Sequence, residues 1–265
     1  MTTVDDHVLA RDLAEAAGQR LLELRAEGGD PDGLRKAGDR LSHEFLIAEL
    51  ALRRPGDHVL SEEAADDPAR LAADRVWIVD PLDGTREFGE EGRADWAVHV
   101  ALWERGELTA GAVALPARDR VLSTAEPISV PPVASPLRLL VSRSRPPEFV
   151  QRLAGDLGAV LVPLGSAGAK AAAVILGEAD AYVHSGGQYE WDSAAPVAVA
   201  RSAGLHTSRI DGSKLAYNQA SPSLPDILIC RAAIAPLLLE TIGSLVPAAA
   251  AGQSASPATS TPELS

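Results

Sequence analysis

Cysteine is almost missing from this chain. Cys230 is the only one, so no internal disulfide can form and the fold must be held by burial and hydrogen bonds. That suits a reducing, cytoplasmic setting. Aromatic residues make up only 4%, which leaves few rings for stacking on bases. No apolar run reaches the roughly 18 residues that a membrane span needs. The opening segment MTTVDDHVLARD has no basic stretch followed by an apolar one, so no signal peptide is predicted. Positive charge is also short. Lys and Arg number 24 against 37 Asp and Glu, a net charge of −13, which argues against a nucleic-acid partner. No internal repeat is present. What remains is a 265-residue chain with 46% hydrophobic residues, enough for one large domain or two coupled halves.

Apolar periodicity predicts an amphipathic helix over 4–26, with Leu9, Leu13, Ala17 and Leu21 inward and Thr3 as its cap. A loop, EGGDPDG, separates it from a second helix at about 40–53. Asp39 then stands at that helix's N-terminus, where a carboxylate is favoured. HVLS (58–61) is a short strand that delivers Glu62 and Glu63 into a loop, where such pairs are commonly just solvated. REFGEEGR reads as loop, and WAVHVALW, LTAGAVALPA and RDRVLSTAE read as a three-stranded meander. His99 lies within the first of these strands, which suggests a core or interface role. The proline-rich SVPPVASP joins an N-terminal half, 1–130, to a C-terminal half, 137–246. The second half alternates strand and helix and ends in a strand, ILIC, and a helix from about Ala233. Cys230 reads as a small core residue there. Residues 247–265 are small, polar and Pro-rich, and predict a disordered tail.

The most informative stretch is VWIVDPLDGT, 76–85. Val76 to Val79 predict a buried strand, and Pro81 removes a backbone donor and should stop the ladder just after Asp80. Asp80 and Asp83 can then converge from one turn. Anions held that close repel unless a cation sits between them, and a hard divalent ion such as Mg²⁺ suits oxygen donors. The Leu82 carbonyl is a further candidate ligand. Gly84 permits close backbone approach, and the N–H groups of Gly84 and Thr85 can hold a phosphate if a helix starts there. A plain turn between strands fits the same residues. In the second half, EWDSAAPVAVARSAG places Asp192 at the start of an Ala-rich helix, where it also reads as an N-cap.

Taken together, Glu62-Glu63, the Asp80–Thr85 turn and Trp191-Asp192 resemble the inositol monophosphatase superfamily of metal-dependent, lithium-sensitive phosphatases. The resemblance runs from the first helix to about residue 245. It implies a layered αβαβα sandwich, phosphomonoester hydrolysis with two or three Mg²⁺ ions, and often a homodimer. It also implies that Glu62, Asp80, Asp83, the Leu82 carbonyl and Asp192 are metal ligands, with Glu63 behind them. Thr85 would polarise the attacking water, helped by an aspartate usually found in a Thr-x-Ala-Asp pattern. Here that segment is Lys36-Ala37-Gly38-Asp39; Asp39 matches and Lys36 departs.

GSAGAKAAAVILGEADAYV (165–183) resembles the branch of that family formed by the 3′-phosphoadenosine-5′-phosphate (PAP) phosphatases, often called CysQ in bacteria. On this resemblance Ser166, Lys170, Arg143 and Arg145, with Glu62, Leu82, Asp83, Gly84, Thr85 and Asp192, contact a small phosphomonoester substrate. Lys170 also reads as a solvated helix lysine. The expected reaction is release of phosphate from PAP, with its sulfated relative PAPS as a second substrate, in sulfur assimilation and nucleotide recycling. Inositol monophosphatase or fructose-1,6-bisphosphatase activity uses the same metal set. A non-catalytic phosphate or metal sensor is the reading from a different class, and it has no need of Thr85. Because nothing in 248–265 can pack, deleting it should leave activity and melting temperature unchanged in a thermal melt; a clear drop would show that it docks.

Overall fold

The computed structural model describes residues 5–144 and 146–246. The predictions for Thr3, Arg145 and the tail 247–265 lie outside them. The first half carries α1 (Asp6–Glu27), α2 (Pro31–Arg53), β1 (His58–Ser61), β2 (Arg75–Asp83), α3 (Thr85–Phe88), β3 (Ala97–Glu104), β4 (Glu107–Leu115) and β5 (Arg120–Ser123). Its sheet runs β1-β2-β3-β4-β5, with β1 parallel to β2 and the rest antiparallel. The second half carries β6 (Arg138–Ser142), α4 (Glu148–Leu157), β7 (Val160–Leu164), α5 (Ala167–Ile175), β8 (Ala181–Tyr189), α6 (Glu190–Ser202), β9 (His206–Ser208), β10 (Ser223–Cys230) and α7 (Ala235–Leu245). Its mixed sheet runs β7-β6-β8-β10-β9.

Strand alternation sorts the side chains into layers, because successive residues face opposite sides of a sheet. Trp77, Val79, Val98 and Val100 of the first sheet pack on α1 and α2 through Leu9, Leu13, Leu21 and Leu46. Val76, Ile78, Ala97 and Ala101, from the other face, meet Ala171, Val174, Ala194 and Val197 of α5 and α6. The same cluster takes in Leu140, Tyr182, Ile227 and Ile229 of the second sheet. That sheet's outer face, with Leu139, Val141, Val183 and Leu228, is covered by α4 and α7. The order is therefore helix, sheet, helix, sheet, helix, the αβαβα sandwich. The two halves share their central core. Cys230 is buried beneath the outer helices, and that burial pushes its thiol up to about 12.

Four local expectations change. The second helix begins at Pro31, not near residue 40. Asp30 caps it by accepting from Gly33 N at 2.8 Å, and Pro31 follows at the first turn, where its missing N–H costs nothing. Asp39 consequently lies inside α2 and caps nothing. The N-terminal cap of α1 is Asp5, which accepts from His7 N. Pro81 does not end its strand: it sits at a shift in the β2–β3 register between Asp80 and Asp83, where the ladder needs no donor. REFG is not loop, since Thr85–Phe88 forms one helical turn behind Gly84.

The close approach of α6 to β4 depends on Gly111. A Cβ there would lie 2.7 Å from the Cβ of Ala198 and 3.4 Å from the Ala195 carbonyl oxygen. Neither atom belongs to a flexible side chain, so the layers would have to separate. Gly111→Ala should cost about 1–3 kcal/mol of stability, read as a lower urea midpoint at constant slope. An unchanged midpoint would show that the middle layer is loosely packed.

Candidate functional site

The site forms where the end of β2 meets the N-termini of α5 and α6. Asp80 is buried at the register shift, and its Oδ1 accepts from Leu82 N at 3.1 Å. The bend turns Asp83 toward the other half. There its carboxylate accepts from Ala167 N at 3.1 Å and Gly168 N at 2.6 Å, and also from the Ser166 hydroxyl. These donors are the first turn of α5, whose dipole favours an anion. Ser166 is also the N-cap of that helix, accepting from Ala169 N at 2.9 Å. Gly84, at φ +86, is what allows this seam: a Cβ would lie 3.0 Å from Ser166 Cβ and 3.2 Å from the Asp95 carbonyl.

Asp192 arrives from the first turn of α6. It is not the N-cap; Tyr189 is, and Asp192 accepts from Tyr189 N at 2.6 Å. Asp80, Asp83 and Asp192 each bring a carboxylate oxygen to within 4.8 Å of the others. All the donors are oxygens, so the set fits a hard divalent cation. Beside them the Thr85 hydroxyl lies 3.2 Å from Asp39 Oδ1 and 3.0 Å from the Leu82 carbonyl. Glu62 and Glu63 stand at the rim of the same acidic group, open to solvent on one side while the Glu62 carboxylate is crowded by protein on the other.

Comparison with known proteins bears on this geometry. The model of the inositol monophosphatase family matches residues 7–244. The chain belongs to that family. It is 54% identical over 255 residues to the 3′-phosphoadenosine 5′-phosphate phosphatase of Mycobacterium leprae, covering 89% of this chain and 93% of the relative. It is 55% identical over 240 residues to the protein of the same name from Mycobacterium tuberculosis, covering 85% and 89%. Among solved structures, CysQ from Bacteroides thetaiotaomicron superposes with a TM-score of 0.74 at 25% identity, covering 85% of this chain and 97% of that one.

His99 is the residue of this inositol monophosphatase site that sequence reasoning underrated. It is fully buried, as expected of a strand residue, but it also joins the two acidic signatures. Its Nδ1 lies 3.0 Å from the Trp191 carbonyl, and its Nε2 lies 3.3 Å from Asp83 Oδ2. Burial would strip its charge, yet the Asp83 carboxylate, the Trp191 carbonyl and the charge of Asp192 outweigh that and raise its pKa. The only hint in the sequence was a histidine in a run otherwise apolar, WAVHVALW. Gly168 makes room for the ring: a Cβ there would lie 2.1 Å from His99 Nε2.

Lys170 and Arg143 are both engaged by groups of the protein itself. Lys170 is buried, not solvated; its Nζ donates to the carbonyls of Gly165 and Ser166 and lies 5.2 Å from the centre of the Tyr182 ring. It braces the loop that presents Ser166 to Asp83. Arg143 is engaged by Glu87 at 2.7 Å and Glu90 at 3.0 Å. From Asp83 and Asp192 a cleft of about 500 Å³ runs outward past Ser166, Lys170, Tyr182 and His184.

The electrostatics divide the carboxylates. Burial alone would raise Asp83, but His99, the Ser166 hydroxyl and the Gly168 N–H hold it at about 2. Burial and the charges of Asp83, Glu62 and Asp192 push Asp80 well above the ordinary range. Asp192 rises to about 7 through loss of water and the charge of Asp83. Glu62 rises to about 7 because surrounding protein displaces water and Asp192, Asp83, Glu63 and Asp39 all face it. Burial, then Glu63, raises Asp39 to about 6, against the hydrogen bond from Thr85.

In the metal-free protein these raised groups keep protons that the unfolded chain has already released. Stability should therefore fall as pH rises from about 4 to about 7, by at least about 5 °C in melting temperature under chelator. Asp192→Asn should raise the metal-free melting temperature at pH 8 and abolish the gain produced by added Mg²⁺. A lower metal-free melting temperature for Asp192→Asn would instead mean that the carboxylate serves only as the helix cap.

Proposed function

We propose that this chain is a Mg²⁺-dependent phosphomonoesterase that removes the 3′-phosphate of PAP, giving AMP and phosphate, with PAPS as a second substrate. The observation that carries the reading is the meeting of Asp80, Asp83 and Asp192 within 4.8 Å, next to a Thr85 hydroxyl hydrogen-bonded to Asp39. The substrate comes from the names of the relatives at 54% and 55% identity.

In this reading Glu62, Asp80, Asp83, Asp192 and the Leu82 carbonyl hold two or three Mg²⁺ ions. Bound there, the ions neutralise the phosphate dianion and lower the pKa of a water. The chain's own part is positional and acid–base. Thr85 Oγ1 has one proton and two acceptors, Asp39 Oδ1 and the Leu82 carbonyl. Giving that proton to Asp39 leaves its oxygen lone pairs for the proton of an attacking water. Asp39, at about 6, is poised for that exchange near neutral pH. Asp83, kept ionised by α5, supplies a constant negative anchor. His99 fixes its orientation and ties it to the backbone beside Asp192. The N-terminus of α3 lies at the same turn, with no side-chain cap, so the backbone N–H groups after Gly84 would be available to phosphate oxygens. A cytoplasmic setting accompanies this function, supported by the lone buried thiol of Cys230.

Two measurements test the reading. Thr85→Ala should lower kcat by about 10²–10⁴ with little change in KM, because the lost interaction acts on the water in the transition state. An unchanged kcat with a raised KM would leave Thr85 as a binding group only. PAP should be preferred to inositol 1-phosphate by at least about tenfold in kcat/KM, which needs ~1.4 kcal/mol of differential transition-state binding. A preference for inositol 1-phosphate would overturn the substrate while leaving the phosphatase class standing.

A further inference from the structure

A nucleoside 3′,5′-bisphosphate carries a second phosphate that the metal ligands do not touch. Something on the cleft wall must meet it if the two phosphates together are to be recognised. The permanent cations that line the cleft among the described residues are Lys170 and Arg86. Lys170 is already committed to two carbonyls and a ring face, and burial lowers its pKa. Arg143 is outside the lining and is held by Glu87 and Glu90. Its effect on the cleft is indirect: it neutralises Glu87, a carboxylate on the wall that would repel a phosphate.

Arg86 is different. Its side chain is 60% exposed, and its one ion pair among the described residues is Nε to Glu90 Oε1 at 3.2 Å. An exposed pair of this kind contributes little and is readily exchanged. The guanidinium fork presents its remaining N–H groups in the plane that suits a phosphate. Arg86 also follows Thr85 directly in α3, so its backbone is fixed beside the reacting phosphate.

We infer that Arg86 is the specificity-determining cation for the second phosphate, and that it leaves Glu90 to bind it. The inference rests on the bisphosphate reading of the site. The test compares kcat/KM for PAP with that for adenosine 3′-phosphate, which lacks the second phosphate, in Mg²⁺ at two salt concentrations. For Arg86→Gln the PAP to adenosine 3′-phosphate ratio should fall at least about tenfold, mainly through KM for PAP, and the salt dependence of that KM should weaken. Arg86→Lys should recover part of the ratio, since it restores charge without the fork. Glu90→Gln should leave the ratio equal to or above that of the wild type, because it removes the competing carboxylate. Equal losses on both substrates, or an unchanged ratio in Arg86→Gln, would overturn the inference. Failure of the underlying reading is visible earlier and separately: the wild type itself would then show no preference for PAP over adenosine 3′-phosphate.

Discussion

Mutual repulsion among carboxylates is the constraint around which this molecule is arranged. Asp80, Asp83 and Asp192 approach to within 4.8 Å, and the charges of Glu62, Glu63 and Asp39 add to theirs. Left to themselves such groups would swing apart or take up protons. The fold prevents the first by building each carboxylate into rigid backbone. Asp83 is clamped by the first turn of α5, Asp192 by the first turn of α6, and Asp80 by the N–H of Leu82. The protein does not prevent the second, and the raised affinities of Asp80, Glu62 and Asp192 for protons measure the strain that remains.

The layered architecture serves the same end. Asp80 and Asp83 come from the end of β2 and Asp192 from α6, and these belong to different halves of the chain. Placing α5 and α6 between the two sheets brings both halves to one core, so the halves cannot drift independently. Small residues make that approach possible. Gly111 admits α6 to the first sheet, Gly84 admits the α5 turn to the end of β2, and Gly168 admits the His99 ring. At Gly111 and Gly84 a Cβ would meet backbone or another Cβ, and at Gly168 it would meet the buried His99 ring. His99 completes the join, since one ring touches the anion of one signature and the backbone of the other.

Charge is distributed unevenly along the cleft. Its inner end is acidic, and the cations in and behind its outer wall are held in three kinds of bond. Lys170 is internal scaffolding, Arg143 is a counter-ion, and Arg86 is held by one exposed contact. Residue type alone does not separate these three roles. Burial and partners do, because an N–H already donated to a carbonyl inside the protein cannot serve a ligand without leaving that carbonyl unsatisfied.

Much of this was legible in the residues themselves. Runs of apolar residues with period two or 3.6 located most of the helices and strands, and the paired signatures WIVDPLDGT and EWDSAA carried the family and the aspartates that meet in its acidic cluster. Short-range chemistry of this kind is written in neighbouring residues, so spacing reveals it. Local rules failed where two of them competed. Asp30-Pro31 outranked Asp39 as a helix start, and Pro81 was absorbed by a register shift instead of ending its strand. His99 could be read only as a core or interface residue, and the partners that engage Lys170, Arg143 and Arg86 could not be read at all. A histidine in an apolar strand, or a cation on a helix, acquires its function from groups dozens of residues away in the chain. Only the packing of the two sheets about α5 and α6 sets those groups within bonding distance, and burial there decides which charges are engaged and which remain free to meet a ligand.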